Sequence, residues 1–182
     1  FRSLRVLYNS AITDGLIKKT DYPFDTFKVS RFKEATAKRS LTKEDIRRIM
    51  DCEVRTLTKY PKPFLQLAKD LFLFSYLSCG INLTDMLHIR YADIVDRRLV
   101  FNRQKTGKLL SFQLQPEALA ILDKYRQPNA HPQDYIFPVL KRTVHITAQQ
   151  QYGRVQRTNK RINRYLKLIG EHLHLPIPLT TY

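Results

Sequence analysis

Two groups of basic residues in this sequence have types and spacing suited to binding phosphate. The first group recurs every three or four residues on the last predicted helix, with no acidic residue among its members: Arg154, Arg157, Lys160, Arg161, Arg164 and Lys167. Residues at this spacing share one side of a helix and can follow a nucleic-acid backbone. An ordinary solvated helix face is the alternative, but such faces normally mix both signs of charge. The absence of acidic residues therefore favours nucleic-acid binding.

The second group lies in the segment 103–108, which has the sequence R-Q-K-T-G-K between two strand-like segments, 99–103 and 109–114. This pattern predicts a β-hairpin with its turn at Thr106-Gly107. Strand alternation would put Arg103 and Lys105 on the same face, where both could meet one phosphate. Spacing alone favours a simpler role, in which the charges keep an exposed sheet edge soluble.

Other kinds of chemistry find little support in the residue types. The histidines have no metal-ligand spacing, and Cys52 and Cys79 provide neither a metal pair nor a disulfide scaffold. No phosphate-binding glycine loop and no serine nucleophile elbow occurs. The segment 79–87 is fully explained as a helix end at Gly80 and a new helix start at Asn82 or Thr84. We therefore predict a protein without metal or cofactor, in a reduced cytoplasmic setting.

Composition narrows the class of partner. The chain has 182 residues, 32 Lys and Arg against 16 Asp and Glu, and a formal net charge of +16. An apolar content of 43% argues against disorder, and no apolar run is long enough to span a membrane. Such a surplus of positive charge indicates a polyanionic partner, most simply nucleic acid. Acidic membrane surfaces and ribosomal RNA stay open on this evidence.

The elements that must position these residues are mainly helices with one small antiparallel sheet. Apolar periodicity and capping signals predict helices at 2–17, from Thr42, from Pro61 or Pro63 to Ser78, and at 84–89, 116–125 and 156–173. The segment 18–39 is polar and aperiodic, which is typical of a linker. The domain prediction is therefore a last helix of a preceding domain at 1–19, a linker at 20–39 and a main domain at 40–182.

The order and spacing of three short motifs in this sequence resemble those of a known protein family. The motifs are C-G-I-N-L-T-D-M-L-x-I-R-Y-A-D-I from Cys79, R-Q-K-T-G-K from Arg103 and L-T-T-Y from Leu179. In order and spacing they resemble the tyrosine recombinase (phage integrase) family, most closely integrases of Bacteroides-type mobile elements. The resemblance covers nearly the whole chain. It implies a core-binding (SAM-like) domain ending near residue 19 and a tyrosine-recombinase-like catalytic domain at 40–182.

The resemblance also implies a reaction. The family recombines double-stranded DNA through a 3′-phosphotyrosine without metal or cofactor, as a tetramer on two duplexes. Two arginines and a His-like residue surround the scissile phosphate, and a hairpin lysine protonates the leaving 5′-oxygen. Cations thereby take the role that magnesium has in other phosphoryl transfers. We accordingly expect a bacterial cytoplasmic protein that is associated with the nucleoid when bound to DNA.

The family's catalytic positions map onto particular residues here. Lys105 matches the hairpin lysine, Asp85 matches an acidic structural residue, and Tyr182 matches the first position of the H-x-x-R box, where Tyr can replace His. The first arginine aligns with the neutral Asn82, which cannot make a charge-assisted fork. Our hypothesis is that Arg103 reaches the same phosphate instead. The expected DNA-binding residues are Lys108, Arg154, Arg157, Lys160, Arg161 and Arg164.

The sequence stops at Tyr182, before the family's second arginine and nucleophilic tyrosine. We therefore expect an incomplete catalytic domain, monomeric without DNA, that binds DNA and forms no covalent intermediate. The alternative is a non-catalytic basic module whose hairpin and last helix only clamp the nucleic-acid backbone. A ribosomal or other RNA-binding protein would fit the charge, but not the long apolar helix around Phe72.

Overall fold

The computed structural model describes residues 1–32 and 40–181, and the chain divides into two units, Phe1–Arg39 and Ser40–Tyr182. The domain assignments made from the sequence, with a helix of a preceding domain at 1–19, a linker at 20–39 and a catalytic domain at 40–182, stay predictions. Residues 33–39 of the predicted linker lie outside the described residues. So does Tyr182, the expected H-x-x-R box residue.

Aromatic packing organises the first unit. Helix α1 spans Arg2–Thr13 and ends there, before the predicted residue 17, because Gly15 adopts a left-handed φ of 72°. Two short 3₁₀ turns follow, at Lys19–Asp21 and Val29–Phe32. Between them Phe24 is buried and packs edge-on against Tyr8, with ring centroids 6.1 Å apart.

The helices of the second unit begin where the sequence carries capping signals. Helix α2, Lys43–Asp51, starts at a capping box between Thr42 and Asp45. Helix α3, Pro63–Leu77, has proline in its first turn, and helix α4 is the short segment Leu83–His88. Helix α5 spans Pro116–Asp123, and helix α6 spans Ala148–His172.

Helix α6 begins well before the predicted residue 156. Its start is a capping box in which Thr147 accepts from the Gln150 backbone N–H, while the Gln150 side chain accepts from the Thr147 N–H. The T-A-Q-Q sequence carries this signal, but the first turns of α6 lack the apolar stripe by which a helix is recognised from its periodicity. The added turns carry the residues through which α6 reaches the candidate site.

The sheet has three antiparallel strands in the order β1 (Ile94–Val95), β2 (Arg98–Asn102) and β3 (Leu109–Gln113). Asn102 lies opposite Leu109, so the predicted hairpin connects β2 and β3. The two-residue strand β1 was not predicted. The described chain is thus mainly helical with a small antiparallel sheet, which confirms the predicted class at this level.

Helix α3 is the centre of the core, as its nearly all-round apolar sequence predicted. It packs against α5 and α6, and the loop before α6 adds Phe137, whose ring lies edge-on to Phe74 at 5.6 Å. Fully buried members include Leu71, Phe74, Phe137, Ile162 and Leu166. No helix in the ranges 1–32 and 40–181 is long and apolar enough to cross a membrane.

Candidate functional site

A cleft of about 610 Å³ lies where α4, the β2–β3 turn and the first turns of α6 meet. The short helix α4 presents one wall, the hairpin turn the second, and α6 the third. Its polar lining includes Asn82, Asp85, His88, Gln104, Lys105 and Tyr152. Residues from both internal motifs of the sequence therefore meet in one place.

The carboxylate of Asp85 joins two of these walls. The side chain is 2% exposed, and the Gln104 backbone N–H donates to its Oδ1 at 2.8 Å. Its Oδ2 accepts from the Asn82 side-chain amide at 2.5 Å and lies 3.6 Å from Nε of Arg103. A buried carboxylate needs such partners, because an unpaired charge in the interior is costly. Asp85 thereby fixes the hairpin turn against α4.

Asn82, at the start of α4, makes two hydrogen bonds that position Asp85. Its Oδ1 accepts the Asp85 backbone N–H at 2.9 Å, as expected of a helix N-cap. Its amide nitrogen donates to the Asp85 carboxylate. Asn82 thus orients Asp85.

The hairpin turn holds Arg103 and Lys105 outside the strands. The Arg103 carbonyl accepts from the N–H groups of Thr106 and Gly107, and Gly107 has a φ of 66°. The predicted turn is therefore correct. The strand-alternation argument for Arg103 and Lys105 is wrong, because β2 already ends at Asn102 and turn geometry positions both residues.

The two turn cations differ in their surroundings. The Arg103 guanidinium lies beside the Asp85 carboxylate, whereas the exposed Lys105 lines the cleft and makes no ion pair with any described residue. Lys108 is exposed on the returning side of the turn, outside the cleft lining. Lys105 is thus the turn cation available to an anion in the cleft.

The basic side of α6 is a separate surface. At 3.6 residues per turn, its six cations span roughly 140° of the helix circumference, opposite the buried Val155, Ile162 and Ile169. We call this surface the basic face: Arg154, Arg157, Lys160, Arg161, Arg164 and Lys167. None of these six residues lines the cleft, whose α6 wall is formed instead by Gln151, Tyr152 and Gln156 among others.

The six residues of the basic face are not equally available to bind a ligand. Arg154 is partly buried and donates from Nε to the Val139 carbonyl at 3.1 Å. The Arg161 guanidinium stacks 3.9 Å from the ring centroid of Phe64, and Lys167 lies 3.7 Å from Glu171. Arg157, Lys160 and Arg164 are exposed and form no ion pair with a described residue.

The segment before Tyr182 packs on α6. Leu179 is buried against Gly170, and Thr181 donates its backbone N–H to Asn163 and its hydroxyl to Asn159. The prediction for Tyr182 itself falls outside the described residues. Away from the cleft, the buried Asp70 accepts from Gln66, Lys124 and Tyr125, so both of its carboxylate oxygens are engaged within the protein.

His88 is the cleft residue that sequence reasoning missed. The sequence gave it no metal spacing, and no group of metal-binding side chains forms among the described residues. One signal was available, since Thr84, Asp85 and His88 stand three and four residues apart and share a helix side. His88 Nδ1 lies 2.7 Å from the Thr84 carbonyl oxygen.

Comparison with family models, curated proteins and solved structures gave no match for this chain. A functional conclusion must therefore come from the cleft and the basic face. Together they offer one lysine beside a fixed carboxylate network and a separate row of exposed cations. Both features suit a phosphate-rich ligand.

Proposed function

We propose that this chain is part of a site-specific DNA recombinase of the tyrosine recombinase family, with the cleft holding the DNA phosphate at which strands are cut and rejoined. The observation that carries the proposal is the meeting of Lys105 with Asn82 and Asp85 in one cleft. These residues belong to the two internal motifs on which the family resemblance rests. Neither motif alone requires that these residues line the same cleft.

The family's chemistry assigns a role to Lys105. A tyrosine releases its hydroxyl proton to solvent as its oxygen attacks phosphorus, a 3′-phosphotyrosine forms, and the bond from phosphorus to the 5′-oxygen breaks. The leaving oxygen takes a proton, which Lys105 supplies as general acid in this proposal. The support is its exposed ammonium in the cleft, on a turn that Asp85 anchors through the Gln104 N–H.

Arg103 is proposed to supply the charge that Asn82 lacks. Its guanidinium lies beside the same carboxylate that Asn82 contacts, so the two residues share one locality. An arginine held by one carboxylate still has N–H groups to offer a phosphate oxygen. Tyr182 keeps its proposed role as the His-like residue of the H-x-x-R box.

The basic face is proposed to hold duplex DNA by its backbone. Exposed arginines and lysines without acidic neighbours displace condensed counterions from DNA, which drives binding without reading sequence. Arg157, Lys160 and Arg164 are the strongest members for this role, because no described acidic side chain neutralises them.

A non-catalytic nucleic-acid-binding module is the second candidate. One observation favours it, because the Asn82 amide is engaged by Asp85 and the basic face does not line the cleft. In that case Lys105 would be one backbone contact among many. The two candidates thus differ in whether the cleft binds one particular phosphate of the DNA or makes no distinction among phosphates.

Phosphate ethylation interference separates these candidates. A duplex selected for binding is ethylated at single phosphates, and the positions that prevent binding are mapped for the wild type and for Lys105→Ala. A recombinase cleft should give one dominant phosphate per bound strand, and Lys105→Ala should abolish that interference alone. Lys108→Ala, on the same turn but outside the cleft lining, is the matched control and should leave the dominant phosphate unchanged.

Diffuse interference that Lys105→Ala weakens only slightly would support the non-catalytic module and contradict the recombinase proposal. Failure of the wild type to bind any duplex would contradict both candidates.

A further inference from the structure

The imidazole of His88 is held in a fixed orientation. Because a carbonyl oxygen can only accept, the 2.7 Å contact with Thr84 means that Nδ1 carries a hydrogen. The ring also packs edge-on against the buried Tyr135, with centroids 6.0 Å apart. Nε2, on the opposite side of the ring, is therefore directed away from the α4 backbone. It has no hydrogen-bond partner among residues 1–32 and 40–181.

His88 lies between two cavities. It lines the cleft together with Lys105, and it also lines an adjoining cavity of about 210 Å³. Asp85 and Gln104 line both cavities too. His88, whose Nε2 has no described partner, thus lines the same cleft as Lys105.

The acidic groups around His88 already have partners within the protein. Asp85, on the same helix, is already engaged by Asn82, Arg103 and the Gln104 N–H. Across the adjoining cavity, Asp93 accepts from the Arg90 backbone N–H, and burial raises the Asp93 pKa. The titratable and charged groups bordering the two cavities around His88 are Asp85, Lys105, Tyr152, Arg90, Asp93 and, against its ring, Tyr135.

We propose that His88, in its protonated form, donates from Nε2 to a non-bridging oxygen of the DNA phosphate that Lys105 contacts. This inference rests on the proposed function and adds a further cation to Lys105 and Arg103, which are already proposed for a phosphate site in which Asn82 is neutral. The contact is a charge-assisted hydrogen bond, and no covalent bond forms or breaks in it. Since the imidazole carries this charge only when it is protonated, we expect DNA affinity to rise as the pH is lowered from about 8 to about 5.

Two isosteric substitutions separate the two ring nitrogens. In His88→Asn the amide nitrogen takes the place of Nδ1, which keeps the Thr84 bond and leaves nothing in the cleft. In His88→Gln the amide nitrogen takes the place of Nε2, which keeps a neutral donor in the cleft. Affinity for a short fluorescent duplex is measured by anisotropy for each protein across this pH range.

The wild type should bind about tenfold more tightly at the acid end of the range than at the alkaline end, the size expected of one charge-assisted bond. Both variants should lose that gain. At alkaline pH the neutral wild-type ring has no hydrogen on Nε2, so His88→Asn should bind like the wild type, and His88→Gln, whose amide can donate, should bind more tightly. His131→Gln, at an exposed histidine outside the cleft lining, should keep the full pH dependence.

A wild-type pH profile in both His88 variants, with binding still weakened by Lys105→Ala, would overturn this inference and leave the proposed function standing. Absence of duplex binding by the wild type would overturn both. If the variants unfold, the wild type alone decides the question through the imidazole ¹⁵N resonances. Addition of the duplex should shift His88 Nε2 and leave His131 in place, and an unchanged His88 signal contradicts the proposal.

Discussion

At the scale of single residues, contacts within the protein distinguish the cations that stabilise the fold from those that are free to bind a ligand. Arg154 belongs to the first kind, because its Nε binds the Val139 carbonyl, and Arg161 is stacked on Phe64. Lys105 and Arg157 belong to the second kind, since no described acidic group pairs with them. The sequence assigned all four to DNA, the three α6 arginines by their spacing and Lys105 by the family resemblance.

Tyr125 gives a residue-scale prediction about pH. Its hydroxyl donates to Asp70 at 2.8 Å, and burial, followed by the charge and hydrogen bond of Asp70, raises the pKa of this phenol well above its ordinary value near 10. In the folded state the proton therefore stays bound where the unfolded chain releases it. The resulting stability is fully present below about pH 10 and is lost as pH rises further.

Tyr125→Phe should reduce the free energy of unfolding by about 1.5–3 kcal/mol near neutral pH, because a bond to a charged acceptor is lost. Its cost should shrink above about pH 10, where the wild type loses the same stabilisation. Urea titrations at several pH values measure both effects. Tyr152→Phe, at an exposed tyrosine, is the control and should change neither quantity. A cost for Tyr125→Phe that stays constant to high pH would contradict the assignment.

At the scale of elements, the β2–β3 turn is the structure on which the candidate site depends. Turn geometry, rather than the alternation of a strand, sets where Arg103 and Lys105 lie. Gly107 permits that geometry through its φ of 66°, a region that costs other L-residues roughly 1–2 kcal/mol.

Two glycine substitutions test the importance of the turn. A Cβ at Gly107 meets no atom within 4 Å, so the cost of Gly107→Ala should be conformational, about 1 kcal/mol in unfolding free energy. It should also weaken duplex binding, because Lys105 shares the turn. Gly153→Ala, inside α6, should instead stabilise by roughly 0.5–1 kcal/mol through helix propensity.

Urea unfolding and anisotropy together measure these effects. Gly107→Asn should recover much of the lost stability, because asparagine tolerates the left-handed region better than alanine. If Gly107→Ala were as stable as the wild type, the turn would not have the described geometry in solution.

At the scale of the whole molecule, the basic residues behind the net charge of +16 differ in whether an acidic side chain lies beside them. Arg47, Arg126 and Arg142 each lie within 3.7 Å of an acidic side chain, whereas Arg157, Lys160 and Arg164 of the basic face have no described acidic partner. Removing either trio changes the net charge equally. Only the second trio should matter to a polyanion, because the first is already locally neutral.

We expect the affinity for duplex DNA to fall steeply with salt, with a slope on logarithmic axes that grows with the number of phosphates contacted. Replacing Arg157, Lys160 and Arg164 by alanine should lower that slope by about 3, whereas replacing Arg47, Arg126 and Arg142 should leave it nearly unchanged. Anisotropy titrations at several salt concentrations measure it. Equal effects of the two triple variants would mean that net charge, and not the basic face, drives binding.

The sequence by itself determined the local features of this protein. Capping residues such as Thr42 and Asn82, the turn at Gly107 and the apolar content of α3 act over a few neighbouring residues, so their effects can be read along the chain. The same holds for the class of structure, mainly helical with a small antiparallel sheet. The early start of α6 was also encoded locally, in the Thr147–Gln150 capping box.

Only the tertiary structure decided which chemical groups meet. The bond from the Gln104 N–H to Asp85 joins residues distant in the chain, and it forms because a buried carboxylate must find partners wherever the fold offers them. That contact anchors the turn that carries Lys105 to the helix that carries His88, and both residues line the cleft. Periodicity reports which side of an element a residue occupies, whereas the packing of different elements sets what lies opposite it.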